Sequence, residues 1–465
     1  MRAVAAAGAV AIAAVLVTAC GSSGRGSEGD AAPKDRAPAR PLAKLNAPAA
    51  YNTAKGWDAT LTWLPSKVRS IPVAVAPDSG NIALLHGTSD GYTVQARAAD
   101  SGEIRWSSTP WSPPAPMEGF EGEAAEIPNV IAAEQNGREY VIAYAHGLRG
   151  KDALHEGTEV TRLAVYPADA SGDGVEPLRE IDVPVSARSG ELRVTTDGGR
   201  LLVSWGEDGP LSKWSAAVDL VTGKVSSYEG LDVLLPQCEQ ALVCTERIAA
   251  QTTAGPLVAM KDGGFGVPGA WFSHAVRPSE AAGQSDFLQT WNGKVYGVSH
   301  GHVLATWDQV ADRHTGADHI WSVHDATTGE LRAELECGYD GGQLRRARKH
   351  PVVASPDGRY LAAGPVAFDL GQETGICLEG DGDRKTILLG SIRNDATAYG
   401  VIDDDSRNSS ESAVVAQVDL NDPIDATAAL GTEIDIPFVT DVKGSGVFLT
   451  RDADQHIQVS VRREQ

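Results

Sequence analysis

The sequence predicts an all-β protein, a β-propeller of four-stranded antiparallel blades, eight in number, with seven blades as the alternative. Three observations support this prediction. Short runs of Val, Ile, Leu, Tyr and Trp alternate with polar residues and are separated by Gly, Asp, Asn and Pro, which is the pattern of half-buried strands. Helical periodicity is nearly absent. Two kinds of segment also recur along the chain, and such internal repetition is typical of solenoids, propellers and arrays.

The first recurrent segment consists of a strand, a turn that contains Asp, and a second strand. It is found as AVAPDSGNIALLHG from Ala74, as RVTTDGGRLLVSWG from Arg193 and as VVASPDGRYLAAG from Val352. Turns of the Asp-Gly and Asp-x-Gly type favour tight hairpins because Gly tolerates positive φ. Each segment therefore predicts one hairpin of a blade.

The second recurrent segment joins two further strands through a turn that contains Asp, then Thr or Ser, then Gly and a charged residue. It is found as YTVQARAADSGEIRW from Tyr92, as WSAAVDLVTGKVSSY from Trp214 and as WSVHDATTGELRAEL from Trp321. We interpret it as the outer two strands of the same blade. One unit then holds four strands, as a propeller blade does.

Counted in this way, the units cover residues 66–110, 120–185, 186–232, 233–283, 284–337, 338–382 and 383–437. The unit at 233–283 is irregular, which leaves seven blades as the alternative. The C-terminal segment from Phe438 supplies three strands, and residues 58–64 can supply a fourth. The N- and C-terminal strands of the domain are therefore expected to close the ring together.

The turn with Gly and a charged residue, followed by an apolar or aromatic strand as in DSGEIRW at 100–106, resembles the repeat of pyrroloquinoline-quinone-type (quinoprotein-like) propellers. The resemblance covers about three clear repeats and two degraded ones, and it implies the fold more strongly than the cofactor. Dehydrogenases of that family carry two adjacent cysteines beside the quinone. This chain has no adjacent cysteines, and we therefore expect no quinone cofactor.

The N-terminus has the features of an export signal. Arg2 precedes an unbroken run of small and apolar residues at 3–19, and the run ends in LVTAC at Cys20. This arrangement resembles the lipobox of bacterial lipoproteins, which implies cleavage after residue 19 and a diacylglycerol on the Cys20 thiol. An ordinary signal peptide and an uncleaved membrane anchor are the alternatives.

The residues that follow Cys20 are rich in Gly, Ser, Pro and Ala, a composition that does not bury enough surface to fold. We therefore divide the chain into a signal peptide (1–19), a lipidated tether (20–56) and a propeller (57–465). The body is expected to lie on the outer face of the cell membrane, held there by its lipid. The usage of Ala, Gly, Asp and Arg is typical of high-GC actinobacteria.

Four further cysteines are Cys238, Cys244, Cys337 and Cys377. An even number in an exported chain predicts two disulfides, and three connectivities are open. We favour Cys238–Cys244, which closes a short loop, together with Cys337–Cys377.

Residues 169–180, DASGDGVEPLRE, carry oxygen ligands at the spacing of a twelve-residue calcium loop. Asp169, Ser171, Asp173 and Glu180 occupy ligand positions, and Gly174 occupies the turn position. A charged residue and a Pro interrupt the loop pattern, so a bare acidic hairpin loop is the alternative that we favour. Ca²⁺ is the one cofactor that this segment suggests.

Five histidines cluster within residues 300–324, with two aspartates among them. If residues 295–307 form one strand, His300 and His302 share a face and could hold zinc together with a carboxylate. The letters SHGH are also typical of a turn, which would scatter these side chains, and exposed loop histidines are therefore the alternative.

Tryptophans divide into two predicted groups. Trp111 lies in a Pro-rich stretch and is expected on an exposed loop, where it could stack on a sugar. The others in strand patterns are expected between blades as core; they include Trp106, Trp205, Trp307 and Trp321.

These features favour a non-catalytic binding or scaffold module for an unidentified envelope or secreted protein or a glycan. No nucleophile motif is present in the sequence, and a net charge of −22 argues against nucleic acid as a partner. Insertions at 106–127, 145–161 and 308–319 are the predicted contact surfaces. The alternatives are an extracellular polysaccharide-acting or quinone-dependent enzyme with its site in the channel, and a structural envelope protein.

Overall fold

The computed structural model describes residues 42–68, 70–117, 127–186, 192–206, 214–228, 235–236, 246–260, 263–281, 292–308, 319–339, 350–380, 384–403, 413–423 and 426–465. Within these residues eight sheets are arranged as the blades of a propeller. The all-β fold class and the eight blades predicted from the repeats are therefore confirmed.

Thirty-two strands lie in the described residues. The first sixteen are β1 (Tyr51–Leu61), β2 (Val73–Ala76), β3 (Asn81–Thr88), β4 (Gly91–Ala98), β5 (Ile104–Ser108), β6 (Asn129–Gln135), β7 (Arg138–Arg149), β8 (Thr158–Pro167), β9 (Gly172–Val175), β10 (Arg179–Pro184), β11 (Arg193–Thr195), β12 (Leu201–Trp205), β13 (Trp214–Val218), β14 (Val225–Ser227), β15 (Glu246–Gln251) and β16 (Pro256–Met260). The others are β17 (Phe265–Val267), β18 (Trp271–Phe272), β19 (Lys294–Ser299), β20 (His302–Asp308), β21 (His319–Asp325), β22 (Leu331–Cys337), β23 (Val352–Ala354), β24 (Tyr360–Ala363), β25 (Val366–Asp369), β26 (Thr374–Cys377), β27 (Ile387–Ile392), β28 (Thr397–Ile402), β29 (Val415–Asp419), β30 (Thr427–Gly431), β31 (Ser445–Arg451) and β32 (Ile457–Glu464). One turn of 3-10 helix, Ser273–Ala275, follows β18.

The first seven blades are built from strands in chain order. Blade 1 holds β2 to β5, blade 2 holds β6, β7, β8 and β10, and blades 3 to 7 hold four consecutive strands each, from β11 to β30. Neighbouring blades meet through their first strands, as β15 meets β19 and β19 meets β23. These first strands therefore surround the central channel. The irregular unit is blade 4, whose last two strands are three and two residues long.

The eighth blade joins the two ends of the domain, because β1 pairs with β32, which pairs with β31. The C-terminal segment supplies two strands instead of the three expected, and the third position is reduced to a bridge between Val439 and Val447. Strand β1 begins at Tyr51, within the segment that the sequence predicts to be a tether. The reason is packing, since the Tyr51 ring lies 5.2 Å from Phe448 and 6.3 Å from Tyr399.

Arg462 secures this closure from inside the sheet. Its side chain is completely buried and donates hydrogen bonds to the Trp57 carbonyl at 3.1 Å and the Ala43 carbonyl at 3.0 Å. It also pairs with Asp58 Oδ1 at 2.9 Å. One buried guanidinium therefore holds β32, β1 and the residues before β1 together, which no local pattern in the sequence reveals.

The repeated Asp turns occur where the sequence predicts them, between the outer two strands of a blade. In blade 5, Asp325 Oδ1 accepts hydrogen bonds from the backbone N–H groups of Thr327 and Thr328, at 2.9 and 2.8 Å. Asp219 and Asp369 form the same kind of turn in blades 3 and 6. A short acceptor side chain satisfies the turn's own amides, and this is why the motif repeats with the blade.

The tryptophans assigned to the core lie between neighbouring blades, as predicted. They are Trp106, Trp205, Trp307 and Trp321, with 0 to 2% of the residue exposed. Trp111 differs from its prediction, because only 3% of it is exposed. Its backbone pairs with Tyr92 in both directions, at 2.7 and 2.8 Å, and this pairing draws the Pro-rich stretch against blade 1.

Residues 169–180 also differ from the hairpin loop that was expected. Their middle forms β9, which pairs in parallel with β5 of blade 1, so that Gly172 lies opposite Trp106. Both β8 and β10 belong to blade 2. The segment therefore crosses from blade 2 to the outer edge of blade 1 and ties the two blades together.

The predicted disulfide between Cys337 and Cys377 is present, with the two Cα atoms 5.8 Å apart. It joins the outermost strands of blades 5 and 6, β22 and β26. Cys20, Cys238 and Cys244 lie outside the described residues, so their predicted roles stay predictions.

Of the three insertions expected to be contact surfaces, the middle one is mostly regular. The β7–β8 hairpin continues through it, with Leu148 opposite Glu159. Residues 118–126 and 309–318 of the other two lie outside the described ranges.

Candidate functional site

A cavity of about 550 Å³ occupies the central channel on the side of blades 3 to 6. Its walls come from the first strands β11, β15, β19 and β23 and from β12 behind them. The lining residues are Arg193, Thr195, Asp197, Leu202, Ser204, Ile248, Ala249, Val295, Tyr296, Gly297, Val298, His350, Pro351 and Val352. An apolar wall with a few polar groups is typical of a ligand-binding site.

Two strands of this wall carry β-bulges. The pairing of β15 with β16 shifts between Ile248 and Ala250, and the pairing of β19 with β20 shifts between Val295 and Gly297. Ala249 and Tyr296, the residues inside these shifts, both line the cavity. Bulges re-aim side chains and are frequent beside functional sites, and here they shape the channel wall.

The wall between blades 5 and 6 is closely packed. A Cβ at Gly297 would lie 2.5 Å from Val352 Cγ2, so the two first strands approach closely only because this residue has no side chain. Tyr296 Oη donates a hydrogen bond to the His350 carbonyl at 3.0 Å, and the Tyr296 ring packs 5.0 Å from that of Trp321. This side of the cavity is therefore a rigid surface.

Asp197 is the acidic group of the cavity. It lies in the turn between β11 and β12, where its carbonyl accepts a hydrogen bond from Gly301 N at 3.0 Å. The side chain is exposed to the solvent of the channel, and desolvation by the channel walls raises the pKa of Asp197 from 3.8 to about 6. Within the described ranges, no side chain or amide donates to the carboxylate.

Arg193 and His350 lie beside the starts of β11 and β23, at the other end of the cavity. Burial lowers the pKa of His350, with Asp403 opposing the shift, so the imidazole is mostly neutral at pH 7. Arg193 precedes Asp197 by four positions on an extended segment, which separates the two residues by roughly 13 Å at 3.3 Å per residue. The cavity thus presents a basic end and an acidic end across an apolar wall.

The calcium ligands proposed from sequence are not assembled. Strand β9 carries Asp173, and β10 carries Glu180 opposite Ala164. Asp169, Asp173 and Glu180 do not place carboxylate oxygens within 4.8 Å of one another. Binding of Ca²⁺ by Asp169, Ser171, Asp173 and Glu180 stays a prediction.

The histidine cluster is scattered in the structure. His300 forms a turn with a φ of 48°, and His302 begins β20. His324 is fully buried, and desolvation lowers its pKa to about 4. Its ring nitrogens lie 2.8 Å from Ser322 Oγ and 3.2 Å from the Gly329 carbonyl. It is therefore a core histidine satisfied by its own blade. His314 lies outside the described ranges.

Two groups in the described residues do bring three potential metal-ligand atoms within 4.8 Å of one another. The first is the disulfide sulfurs with Glu379. The second comprises Asp452, Asp454 and His456 in the turn between β31 and β32, where Asp452 Oδ1 already accepts hydrogen bonds from two backbone amides at 2.9 Å. Both groups are explained by the covalent or turn structure that contains them.

The channel residues were not singled out by sequence reasoning. Asp197 was recognised only as a turn residue, in the same pattern as Asp78 and Asp357. Tyr296 and His350 belong to no motif. The one available signal was the position of Asp197 after a first strand, because first strands line the channel of a propeller.

No helix in the described part of the chain is long and apolar enough to span a membrane.

Neither a protein-family model nor a curated protein matches this chain. Among solved structures, the Dos1 propeller shares 10% identity, with 88% of this chain and 94% of that one covered and a TM-score of 0.35. TolB from Acinetobacter baumannii shares 13% identity, with 82% and 79% covered and a TM-score of 0.24. The quinohemoprotein alcohol dehydrogenase from Comamonas testosteroni also shares 13%, with 70% and 61% covered and a TM-score of 0.26. At this level the likenesses assign no activity.

Proposed function

We propose that this chain is a non-catalytic binding module, held outside the cytoplasm by a lipid on Cys20, that receives a segment of an envelope or secreted partner in its central channel. The observation that carries the proposal is the channel cavity. The cavity has a volume of about 550 Å³ and a largely apolar wall. It also contains the Asp197 carboxylate, to which no group in the described residues donates a hydrogen bond. Such a wall gains free energy when an apolar segment covers it.

The charge of the channel suggests what the segment carries. Asp197 is open to the channel and desolvation raises its pKa, and a cationic group beside it would favour the ionised form. The opposite end of the cavity has Arg193. A segment with a Lys or Arg at the Asp197 end and apolar side chains between the two ends therefore complements the cavity.

Two features support the location. The Cys337–Cys377 disulfide is of the kind that persists in oxidising compartments, and the lipobox-like sequence at Cys20 predicts export with a lipid anchor. Substitution of Cys20 by Ala should release the protein from the membrane fraction.

The test is site-specific photocrosslinking of the full-length protein in intact cells, with mass spectrometry of the captured species. A benzophenone side chain at Thr195 reports on the channel, and one at Glu334 reports on the exposed outer strand of blade 5. We expect one reproducible partner from Thr195 and none from Glu334. Equal capture at both positions, or none at Thr195, would contradict the proposal.

Asp197→Asn sharpens this test. The variant should weaken capture at Thr195 about tenfold, since hydrogen bonds to charged groups contribute about 1.5 to 3 kcal/mol. Asp78→Asn is the matched control, because Asp78 lies in the corresponding turn of blade 1 and lines no part of the cavity. It should leave capture unchanged.

One observation favours an enzyme as the second candidate. A carboxyl with a pKa near 6 is suited to general acid–base catalysis, and such an acid is one of the two carboxyl groups that a polysaccharide-hydrolysing enzyme uses. The two functions differ in what Asp197→Asn does. An enzyme would lose turnover while retaining its substrate, whereas a binding module loses the partner itself.

A further inference from the structure

The hairpin formed by β7 and β8 extends beyond the sheet of blade 2. The two strands pair over ten positions, from Tyr140 to Arg149 in β7. The first strand of the blade, β6, pairs with β7 only as far as Tyr144. Residues 145–149 therefore run on past the start of β6, over roughly 17 Å at 3.4 Å per residue.

The extension stands on the face of the ring where the first strands begin. Strand β6 begins at Asn129, opposite Tyr144, and the hairpin projects from this end. The blades repeat around the channel axis, so their first strands run in the same direction. Arg193 at the start of β11 and His350 just before β23 therefore lie on the same face. The hairpin thus shares a face with the basic end of the channel cavity.

Contacts on both of its strands hold the extension in place. Leu148 exchanges two backbone hydrogen bonds with Ala115, at 2.7 and 3.1 Å, so the Pro-rich stretch after β5 pairs with the hairpin. A Cβ at Gly147 would lie 2.4 Å from the Ala115 carbonyl oxygen, and the close approach requires a glycine there. His146 Nε2 lies 2.9 Å from Glu159 Oε1, and these side chains are only 2% and 10% exposed. The extension is therefore a fixed projection.

The tip of the hairpin is an ordered turn built on Asp152. Asp152 Oδ1 accepts hydrogen bonds from the backbone N–H groups of Leu154 and His155, at 2.7 and 2.8 Å. Asp152 N donates to the His155 carbonyl at 3.1 Å. A short acceptor side chain thus satisfies the amides of the turn. This turn leaves the Leu154 side chain in solvent, with 89% of the residue exposed.

One exposed apolar residue is ordinary on a protein surface and does not by itself mark a site. Leu154 is nevertheless the most exposed of the large apolar residues in the described chain, and the next, Leu178, is 54% exposed. What distinguishes Leu154 is the structure that carries it, because paired strands, a buried contact and a closed turn place it at the end of a projection. A fixed side chain binds with less loss of conformational entropy than a mobile one.

We propose that the hairpin tip inserts Leu154 into an apolar, leucine-sized pocket of the same protein partner whose segment enters the channel. This inference rests on the proposed function and adds a second contact on one face of the ring. Asp152 and Glu156 lie two positions before and after Leu154, and both are exposed, so a pocket with a basic rim complements the tip. Two contacts with one partner strengthen each other, because the second forms at a high effective concentration.

A lipid surface is the other class of partner for an exposed apolar side chain, and the magnitudes oppose it. Even a myristoyl chain, which is far larger than one leucine side chain, gives only marginal membrane binding. The carboxylates of Asp152 and Glu156 would also be repelled by anionic headgroups. A protein pocket, in contrast, can enclose the whole side chain of Leu154.

The experiment repeats the photocrosslinking of the full-length protein in intact cells, with the benzophenone side chain at Ala153, which is exposed beside Leu154. We expect the protein captured at Ala153 to be the one captured at Thr195. Capture at Thr195 combined with nothing, lipid or a different protein at Ala153 would overturn this inference and leave the channel function in place. Absence of capture at Thr195 would overturn both.

Leu154→Ser measures the contribution of the tip. The melting temperature should not change, because the side chain is exposed. Capture at Thr195 should weaken about tenfold or more, the factor expected from the burial of one leucine side chain in the complex.

Leu178→Ser is the matched control and should leave capture unchanged. Leu178 is an exposed leucine of the same blade, and its N–H donates to the Val165 carbonyl at the opposite end of β8. Undiminished capture in Leu154→Ser, or equal weakening in the two variants, would overturn the inference.

Discussion

Among the described residues of this propeller, two carboxyl groups have raised pKa values, one in the channel and one at the ring closure. Desolvation raises the pKa of Asp197 to about 6. At the junction of blades 7 and 8, desolvation and a hydrogen bond with Asp441 raise the pKa of Glu464 to about 7. The shifts are similar, but the surroundings differ.

Glu464 belongs to a filled network. Its carboxylate lies 3.4 Å from Arg393 Nη2 and accepts a hydrogen bond from Asp441 N at 3.2 Å, and Arg393 lies 3.6 Å from Asp441. Asp197 has no comparable partner in the described chain. The comparison teaches that a raised carboxyl pKa does not by itself mark a functional group. What distinguishes Asp197 is that its surroundings leave room for a ligand.

The largest expected effect concerns the closure. Arg462→Ala should lower the free energy of unfolding by about 3 to 5 kcal/mol, because it removes the donor to two carbonyls and the charged partner of Asp58. Of its described contacts, Asp58 keeps only its hydrogen bonds from Ala43 N and Ser460 Oγ. Urea denaturation monitored by circular dichroism measures the change. Arg451→Ala in the same hairpin is the control, since Arg451 is exposed, and should cost no more than about 0.5 kcal/mol. Similar losses in both variants would show that Arg462 does not hold the ring closed.

The second effect concerns blades 5 and 6, which line the cavity and are joined by a disulfide between their outermost strands. The cysteines of the disulfide are 40 residues apart, and cross-linking a loop of that length stabilises the fold by about 4 kcal/mol in the chain-entropy model, with about 2 to 4 kcal/mol typical. The double variant Cys337→Ser, Cys377→Ser should lose that amount in thermal denaturation. Reductant should destabilise the parent more than the double variant, which keeps the predicted Cys238–Cys244 pair, and a parent insensitive to reductant would contradict the expectation.

The sequence was sufficient where structure is local. The Asp turns at Asp219 and Asp325 and the core position of Trp321 follow from spacing and alternation within a few residues. For the same reason the repeats predicted eight blades, including the irregular fourth. The Cys337–Cys377 pair was favoured among three connectivities, and the structure contains it.

The sequence was insufficient where a structural feature depends on contacts between residues that are far apart in the chain. Tyr51 looked like part of a tether because its partners, Tyr399 and Phe448, lie near the other end of the chain. Strand β9 has no apolar alternation, so its parallel pairing with β5 could not be read from it. Asp78 and Asp197 occupy equivalent turns, and only the position of each blade in the ring makes one of them line the cavity.

The smallest expected effect is the pH dependence of the free energy of unfolding, to which Asp197 and Glu464 contribute over different pH ranges. In both cases the folded state holds a proton more tightly than the unfolded state, so the free energy of unfolding falls as pH rises. The stabilisation is complete below about pH 4 and is lost as pH rises through about 6 for Asp197 and about 7 for Glu464. Because solvent reaches both groups, each should contribute about 1 kcal/mol or less.

The melting temperature of each single variant, measured between pH 4 and 8, shows how much of this pH dependence each carboxyl group contributes. At pH 7.5, Asp197→Asn should stabilise the protein by up to about 1 kcal/mol, because it removes a desolvated charge that has no partner among the described residues. Glu464→Gln removes a similar charge but also a contact with Arg393, so its gain should be cancelled. Asp78→Asn, in an exposed turn, should change neither the melting temperature nor its slope. If Asp197→Asn destabilised the protein at pH 7.5, the carboxylate would have a structural partner, and the channel would lose the feature that distinguishes it from the closure.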